Sequence, residues 1–157
     1  MPLSRNFLIL AAAGGSAALL LGAFGFQYLG GMAPCKLCLW QRWPHGAAIL
    51  IGGIALMIPG RGLPLLGALA ALTTAGIGVY HAGVEQHWWE GPRICTTGPV
   101  GGLSPEQLLE QIMSAPLVRC DEIPWEMFGL SMAAWNAVAS AGLAVLWLMA
   151  AARSVRD

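Results

Sequence analysis

With 157 residues, 57% of them apolar and only 10% charged, the chain is one domain long and too hydrophobic for an ordinary soluble fold. Eight basic and eight acidic residues cancel to a formal net charge of zero, so the totals carry no cationic footprint for nucleic acid. A protein embedded in the lipid bilayer is the first expectation, and the positions of the charges matter more than their sum.

Residues 7–29 form an uncharged stretch long enough, at about 1.5 Å per residue, to cross a hydrocarbon layer of roughly 30 Å. Its apolar run exceeds the core of a signal peptide, and Pro34 precedes Cys35 where a lipoprotein cleavage site needs a small residue. The stretch is therefore expected to persist as a helix. An outward loop, 30–38, leads through Pro34-Cys35-Lys36-Leu37-Cys38 into a second span at 39–60. A cysteine at a helix start faces unpaired N–H groups and the positive end of the helix dipole, which favours its thiolate. Lys36 adds a cation. Thiols three positions apart on a helix are also close enough to close a small disulfide ring.

Cys35, Cys38, Arg42 and His45 follow one another at intervals of 3, 4 and 3 and so share one helix face. Arg42 falls about one turn inside the membrane boundary. There a guanidinium either stabilises the Cys38 thiolate and an anion formed beside it, or snorkels its head to the interface. Pro44 frees the Trp40 carbonyl and gives the helix a place to kink and open space between helices. His45 reads as an interhelical donor.

The tight turn Pro59-Gly60-Arg61-Gly62-Leu63-Pro64 joins the second span to a third at 62–84, whose outer end carries His81, a candidate for the space opened at Pro44. The long loop 85–126 holds His87, seven of the eight acids, and Cys95 and Cys120. Residues 96–102 are rich in turn formers, and Ser104-Pro105-Glu106-Gln107 reads as a capping box opening a short amphipathic helix. Leu108, Leu109, Ile112 and Met113 form its apolar face, and Pro116 ends it. A disulfide between Cys95 and Cys120 would be accessible to a partner protein. The fourth span is 127–152.

Arg5, Arg61, Arg153 and Arg156 place both termini and the middle turn in the cytoplasm. All four cysteines then face outward, in a compartment where disulfides persist. Trp40, Trp43, Trp88, Trp89 and Trp125 fall at the outer boundary as interfacial anchors. The expected fold class is an all-α membrane protein, one domain over 1–157, as a four-transmembrane-helix bundle with a long extracytoplasmic loop carrying a short helix. Two bland readings of the cysteines compete with a redox role. A structural zinc site favours a second close pair, whereas Cys95 and Cys120 are 25 positions apart, so no metal is expected. A purely structural Cys35–Cys38 bridge would close too small a loop to stabilise much.

The run PCKLCLWQRWPH (34–45), together with RCDEIPWEMFGLSMAAWN (119–136), resembles the DsbB family of bacterial disulfide bond formation proteins over nearly the whole chain. The resemblance implies a membrane thiol oxidoreductase of the bacterial inner membrane, in the relay that keeps the periplasm oxidising. It implies that a reduced periplasmic DsbA-type thiol oxidase attacks the loop disulfide at Cys95, and that electrons pass through a transient Cys35–Cys120 bond to Cys35 and Cys38. Cys38 would then reduce ubiquinone or menaquinone, with Arg42 stabilising the thiolate and the developing quinone anion. His81 matches approximately a histidine near the quinone in some members. The direction of electron flow comes from the resemblance alone.

Overall fold

The computed structural model describes residues 4–92, 95, 103–114 and 118–153. Helix α1 (Arg5–Tyr28) starts at Ser4, whose hydroxyl accepts the Phe7 N–H at 3.3 Å. Helix α2 (Lys36–Met57) starts at Cys35 and α3 (Gly62–Glu85) follows the tight turn. Helix α4 (Pro105–Ser114) opens with the expected capping box: the Gln107 N–H donates to Ser104 Oγ at 3.3 Å, and the Ser104 N–H donates to Gln107 Oε1 at 2.9 Å. Strands β1 (Glu126–Met127) and β2 (Leu130–Ser131) form an antiparallel hairpin before the last helix, α5 (Met132–Arg153). The turn formers at 96–102, the helix stop at Pro116, and Arg156 lie outside the described residues.

The long helices pack in a ring, α1 beside α2, α2 beside α3, α3 beside α5 and α5 beside α1. The short connections at 29–35 and 58–61 make α1, α2 and α3 run against one another, and the long segment 86–131 returns the chain for α5. Arg5 donates to the Ile58 and Gly60 carbonyls at 3.0 and 3.2 Å, which ties the start of α1 to the turn between α2 and α3. The end of α5 lies there too, so Arg5, Arg61 and Arg153 gather at one end and the cysteines at the other.

Small residues let the helices approach. Ala12, Ala55, Ala68, Ala71, Ala144 and Ala150 are buried around Trp147, and Gly67 takes its indole face: a methyl there would stand 2.5 Å from the ring. The outer surface is apolar, with Leu21, Leu50, Met57 and Leu69 all exposed. Helices α1, α3 and α5 are long and apolar enough to cross a membrane. Helix α2 is as long as α5, but Gln41, Arg42 and His45 make its first half too polar to join them by composition.

Two expectations need correction. Met127 does not begin the last helix, because Phe128 (φ 54°) and Gly129 (φ 74°) both take the left-handed backbone of a type I′ hairpin turn. The fold is therefore not purely helical, and α5 starts at Met132. Glu85, expected in the outward loop, is the last residue of α3 and is buried.

Candidate redox site

Cys35 caps α2. Its sulfur accepts the Cys38 N–H at 3.2 Å, one of the donors that a helix start leaves unpaired. The helix geometry then brings the two thiols within 2.7 Å, with Cys35 Sγ donating to Cys38 Sγ, so forming a disulfide asks for little more than a side-chain rotation. That shared hydrogen bond, and after it burial, pushes the Cys35 thiol up from its ordinary pKa, so Cys35 is the member that keeps its proton. Lys36 is exposed.

Cys95 and Cys120 are bonded to each other, their Cα atoms 5.1 Å apart, which excludes a four-thiolate metal site in this state. Both are fully buried, which corrects the expectation that this disulfide is accessible to a partner protein: Leu37, Val84 and Cys35 close around it. They form one apolar cluster with Cys35, Leu37 and Val84, against which Cys38 and Val118 also pack. The Cys120 N–H donates to the Cys95 carbonyl at 3.0 Å, and the Arg119 guanidinium grips Asp121 through both carboxylate oxygens at 2.9 and 2.6 Å. The Arg119 hydrogen bonds hold the Asp121 carboxyl below its usual range. The two cysteine pairs that sequence could only assign to one side of the membrane thus share one buried cluster.

A cavity of about 510 Å³ opens beside Cys38, between α1, α2 and α5 and under residues 118–127. Its wall is mostly apolar, including Leu19, Ala23 and Phe26, with Arg42 at its side. Arg42 Nη1 donates to Gln27 Oε1 at 2.6 Å and Nη2 to the Ala23 carbonyl at 3.3 Å, and the guanidinium lies 4.9 Å from the centre of the Phe24 ring. These bonds tie the half-buried cation to α1. Arg42 Nε is buried without a hydrogen-bond partner among the described residues, a donor free for an acceptor in the cavity.

His81 is buried, with Nε2 3.5 Å from Cys35 Sγ and 3.7 Å from Glu85 Oε1. The Glu85 carboxylate also accepts from the Ser131 hydroxyl, which in turn caps α5 by accepting the Ala134 N–H at 3.2 Å. His45 donates from Nε2 to Asn136 Oδ1 at 2.9 Å, the interhelical role expected of it, while His87 is exposed in the loop at φ 58°. Sequence reasoning passed over Gln27, Gln41, Glu85, Ser131 and Asn136. The available signal was polarity within or at the edge of an apolar span, where each such group needs a partner.

The family profile described as Disulfide bond formation protein DsbB matches residues 5–150. Among relatives named Disulfide bond formation protein B, that of Azoarcus sp. strain BH72 is 33% identical over 166 residues, covering 95% of each chain. That of Verminephrobacter eiseniae is 33% identical over 153 residues, covering 88% of this chain and 81% of its own. That of Shewanella sp. strain MR-4 is 30% identical over 142 residues, covering 87% and 81%. No solved structure matches the chain.

Proposed function

Because the chain belongs to the DsbB family of disulfide bond formation proteins, we propose that it is the quinone-dependent membrane oxidase that reoxidises a periplasmic DsbA-type thiol oxidase. The observation that carries this reading is that Cys35 shares a buried cluster with the Cys95–Cys120 disulfide while Cys38 borders the cavity that Arg42 lines. One cysteine pair can therefore exchange with the other on one side and discharge electrons on the other.

The steps are thiol–disulfide exchanges. A thiolate of the reduced partner attacks Cys95, and the Cys120 thiolate leaves. Cys120 attacks Cys35 of the Cys35–Cys38 disulfide, and the Cys38 thiolate leaves. The partner's second thiol releases Cys95, which attacks Cys120 and restores the loop disulfide, leaving Cys35 and Cys38 reduced. Bound ubiquinone or menaquinone supplies an acceptor for two electrons and two protons, which depart from Cys35 and Cys38 as their disulfide re-forms. The site fits such a group on two counts: an apolar cavity wide enough for a flat ring, and the unpartnered Arg42 Nε to meet a carbonyl oxygen. Arg42 also offers the cation that a thiolate at Cys38 requires.

We read α2 as the fourth span. Trp43, Leu50, Ile54 and Met57 leave an apolar strip on its outside, while Gln41 and His45 turn inward to partners. Four spans put both termini on one side, and the arginines at that end support a cytoplasmic side in a bacterial inner membrane, with the cysteines periplasmic. The short helix α4, with Leu109, Ile112 and Met113 exposed, rests on the outer membrane surface in this arrangement. The test is reconstitution with quinone and a reduced DsbA-type partner. Cys38→Ser is expected to abolish quinone reduction, and a normal rate in that variant overturns the proposal.

A further inference from the structure

The polar groups inside the bundle form a chain in which every donor points the same way. His45 Nε2 faces Asn136 Oδ1, an acceptor, at 2.9 Å, so His45 donates. Asn136 Nδ2 donates to Gln41 Oε1 at 2.7 Å. Gln41 Nε2, which has only hydrogens to give, lies 2.9 Å from His81 Nδ1, so Nδ1 is the bare, accepting nitrogen. A neutral His81 then carries its proton on Nε2, which faces Cys35 Sγ at 3.5 Å, with Glu85 Oε1 beside it at 3.7 Å and the Cys120 backbone also within reach of the ring. Cys35 in turn donates to Cys38 at 2.7 Å. Thr74 steadies the middle of the chain, accepting from Asn136 at 3.1 Å and donating to the Gln41 carbonyl at 3.1 Å. The only loose end is His45 Nδ1, buried and unpartnered at the far terminus.

We propose that His45, Asn136, Gln41 and His81 act as a one-way hydrogen-bond chain that fixes the His81 tautomer and holds the negative charge of the reduced pair on Cys38 rather than Cys35. Hydrogen bonds in series polarise one another, and their donors here all point toward the cysteines. Accepting from His81 Nε2–H makes the Cys35 thiol a stronger donor, and Cys35 keeps its proton while giving that hydrogen bond to Cys38, at the cavity. Gln41 and Asn136 touch neither sulfur; they are positioning residues that act through His81.

Other charges bear on Cys38. Arg42 lies on its own helix, Glu85 on α3, and Arg119 and Glu122 on the segment closing the cavity, while α1 and α5 contribute no charged side chain to its lining. These would favour or oppose a thiolate whichever way the amides pointed, so only the chain depends on Gln41 and Asn136. The cluster has another possible use, since ligand atoms of Cys35, Cys38 and His81 lie within 4.8 Å of one another. A metal at Nε2 would need Nδ1 to carry a proton and donate it, yet Gln41 presents a donor to Nδ1. The tautomer therefore decides between the two uses.

The inference deepens the redox reading of these cysteines, and its test needs neither quinone nor turnover, so the two can fail separately. In the full-length reduced protein, nitrogen-15 spectra should find the His81 proton on Nε2. The pH profile of alkylation, followed residue by residue by mass spectrometry, should show Cys38 reacting as a thiolate at lower pH than Cys35. Gln41→Leu and Asn136→Leu should each slow Cys38 alkylation about tenfold at pH 7, the change that one pKa unit brings, without slowing Cys95 or Cys120. Gln41→Glu, which keeps shape but presents an acceptor, should move the His81 proton to Nδ1. A wild-type proton on Nδ1, unchanged Cys38 alkylation in both leucine variants, or one zinc ion bound in a His81-dependent manner would each overturn the proposal. The wild-type spectrum decides even if a variant does not fold.

Discussion

At the scale of single residues, Arg42 shows how a charge within an apolar bundle is made useful. Two hydrogen bonds and a ring face bind it to α1, so its position is set by Gln27, Ala23 and Phe24 rather than by its own flexible stem. Arg42→Ala is expected to raise the KM for quinone and lower kcat while leaving all four cysteines able to form disulfides, as non-reducing mass mapping would check. Gln27→Leu should give an intermediate loss of roughly tenfold or more in kcat/KM, because a hydrogen bond to a charged group is worth about 1.5–3 kcal/mol. A wild-type rate in Gln27→Leu would mean that the Ala23 carbonyl and Phe24 suffice. Arg119 and Asp121 do related work beside the loop disulfide. Asp121 titrates below the unfolded carboxylate value of about 3.9, so its contribution is complete above that pH and disappears as pH falls through the lower folded value. Phosphine reduction of Cys95–Cys120, which proceeds in acid, should accelerate about two- to fivefold as pH drops from 5 to 2.5, the modest scale of a half-exposed ion pair. In Arg119→Met it should already be fast at pH 5.

Elements show what the sequence could reveal and what it could not. The start of α2 was legible because C-x-x-C after Pro34 is a local pattern, and the same holds for the Ser104 and Gln107 capping box. The start of α5 was not, because 127–152 is uniformly uncharged and hydropathy cannot separate a hairpin strand from a helix turn. Gly129 was the available cue, and Phe128 before it hid the turn, since a bulky residue at positive φ is uncommon. The partners of Glu85 and Asn136 were illegible for another reason: Glu85 meets Ser131, and Asn136 meets Gln41, across separations of 46 and 95 residues that only the assembled bundle closes. Ser131 joins two elements by capping α5 and donating to the buried Glu85. Ser131→Ala should therefore cost about 1–3 kcal/mol, more than a cap alone, because it leaves a buried carboxylate short of a donor. Thermal unfolding in detergent would measure this, and Ser131→Thr, which keeps the hydroxyl, should recover most of the loss.

For the whole molecule the decisive question is whether α2 crosses the membrane, since composition alone supports only α1, α3 and α5. With three spans the two ends of the chain would lie on opposite sides of the bilayer. The packing argues otherwise: Arg5 bonds to the Ile58 and Gly60 carbonyls at the far end of α2, and antiparallel α5 brings Arg153 to the same end. A span at α2 is compatible with its polar half because Gln41 and His45 hydrogen-bond inward and both Arg42 Nη atoms bond to α1, while the large exposed side chains beyond Lys36 are apolar, among them Leu39, Trp40, Trp43, Leu50, Ile54, Leu56 and Met57. In a variant with all four native cysteines replaced by serine, single cysteines at exposed positions test this directly. Leu29→Cys and His87→Cys should react with an impermeant maleimide added to intact spheroplasts. Gly60→Cys and Arg61→Cys should react only after the membrane is opened. Labelling of all four from outside would place the turn after α2 on the periplasmic face, and with it would go the four-span arrangement that sets Cys38 beside a lipid-borne electron acceptor.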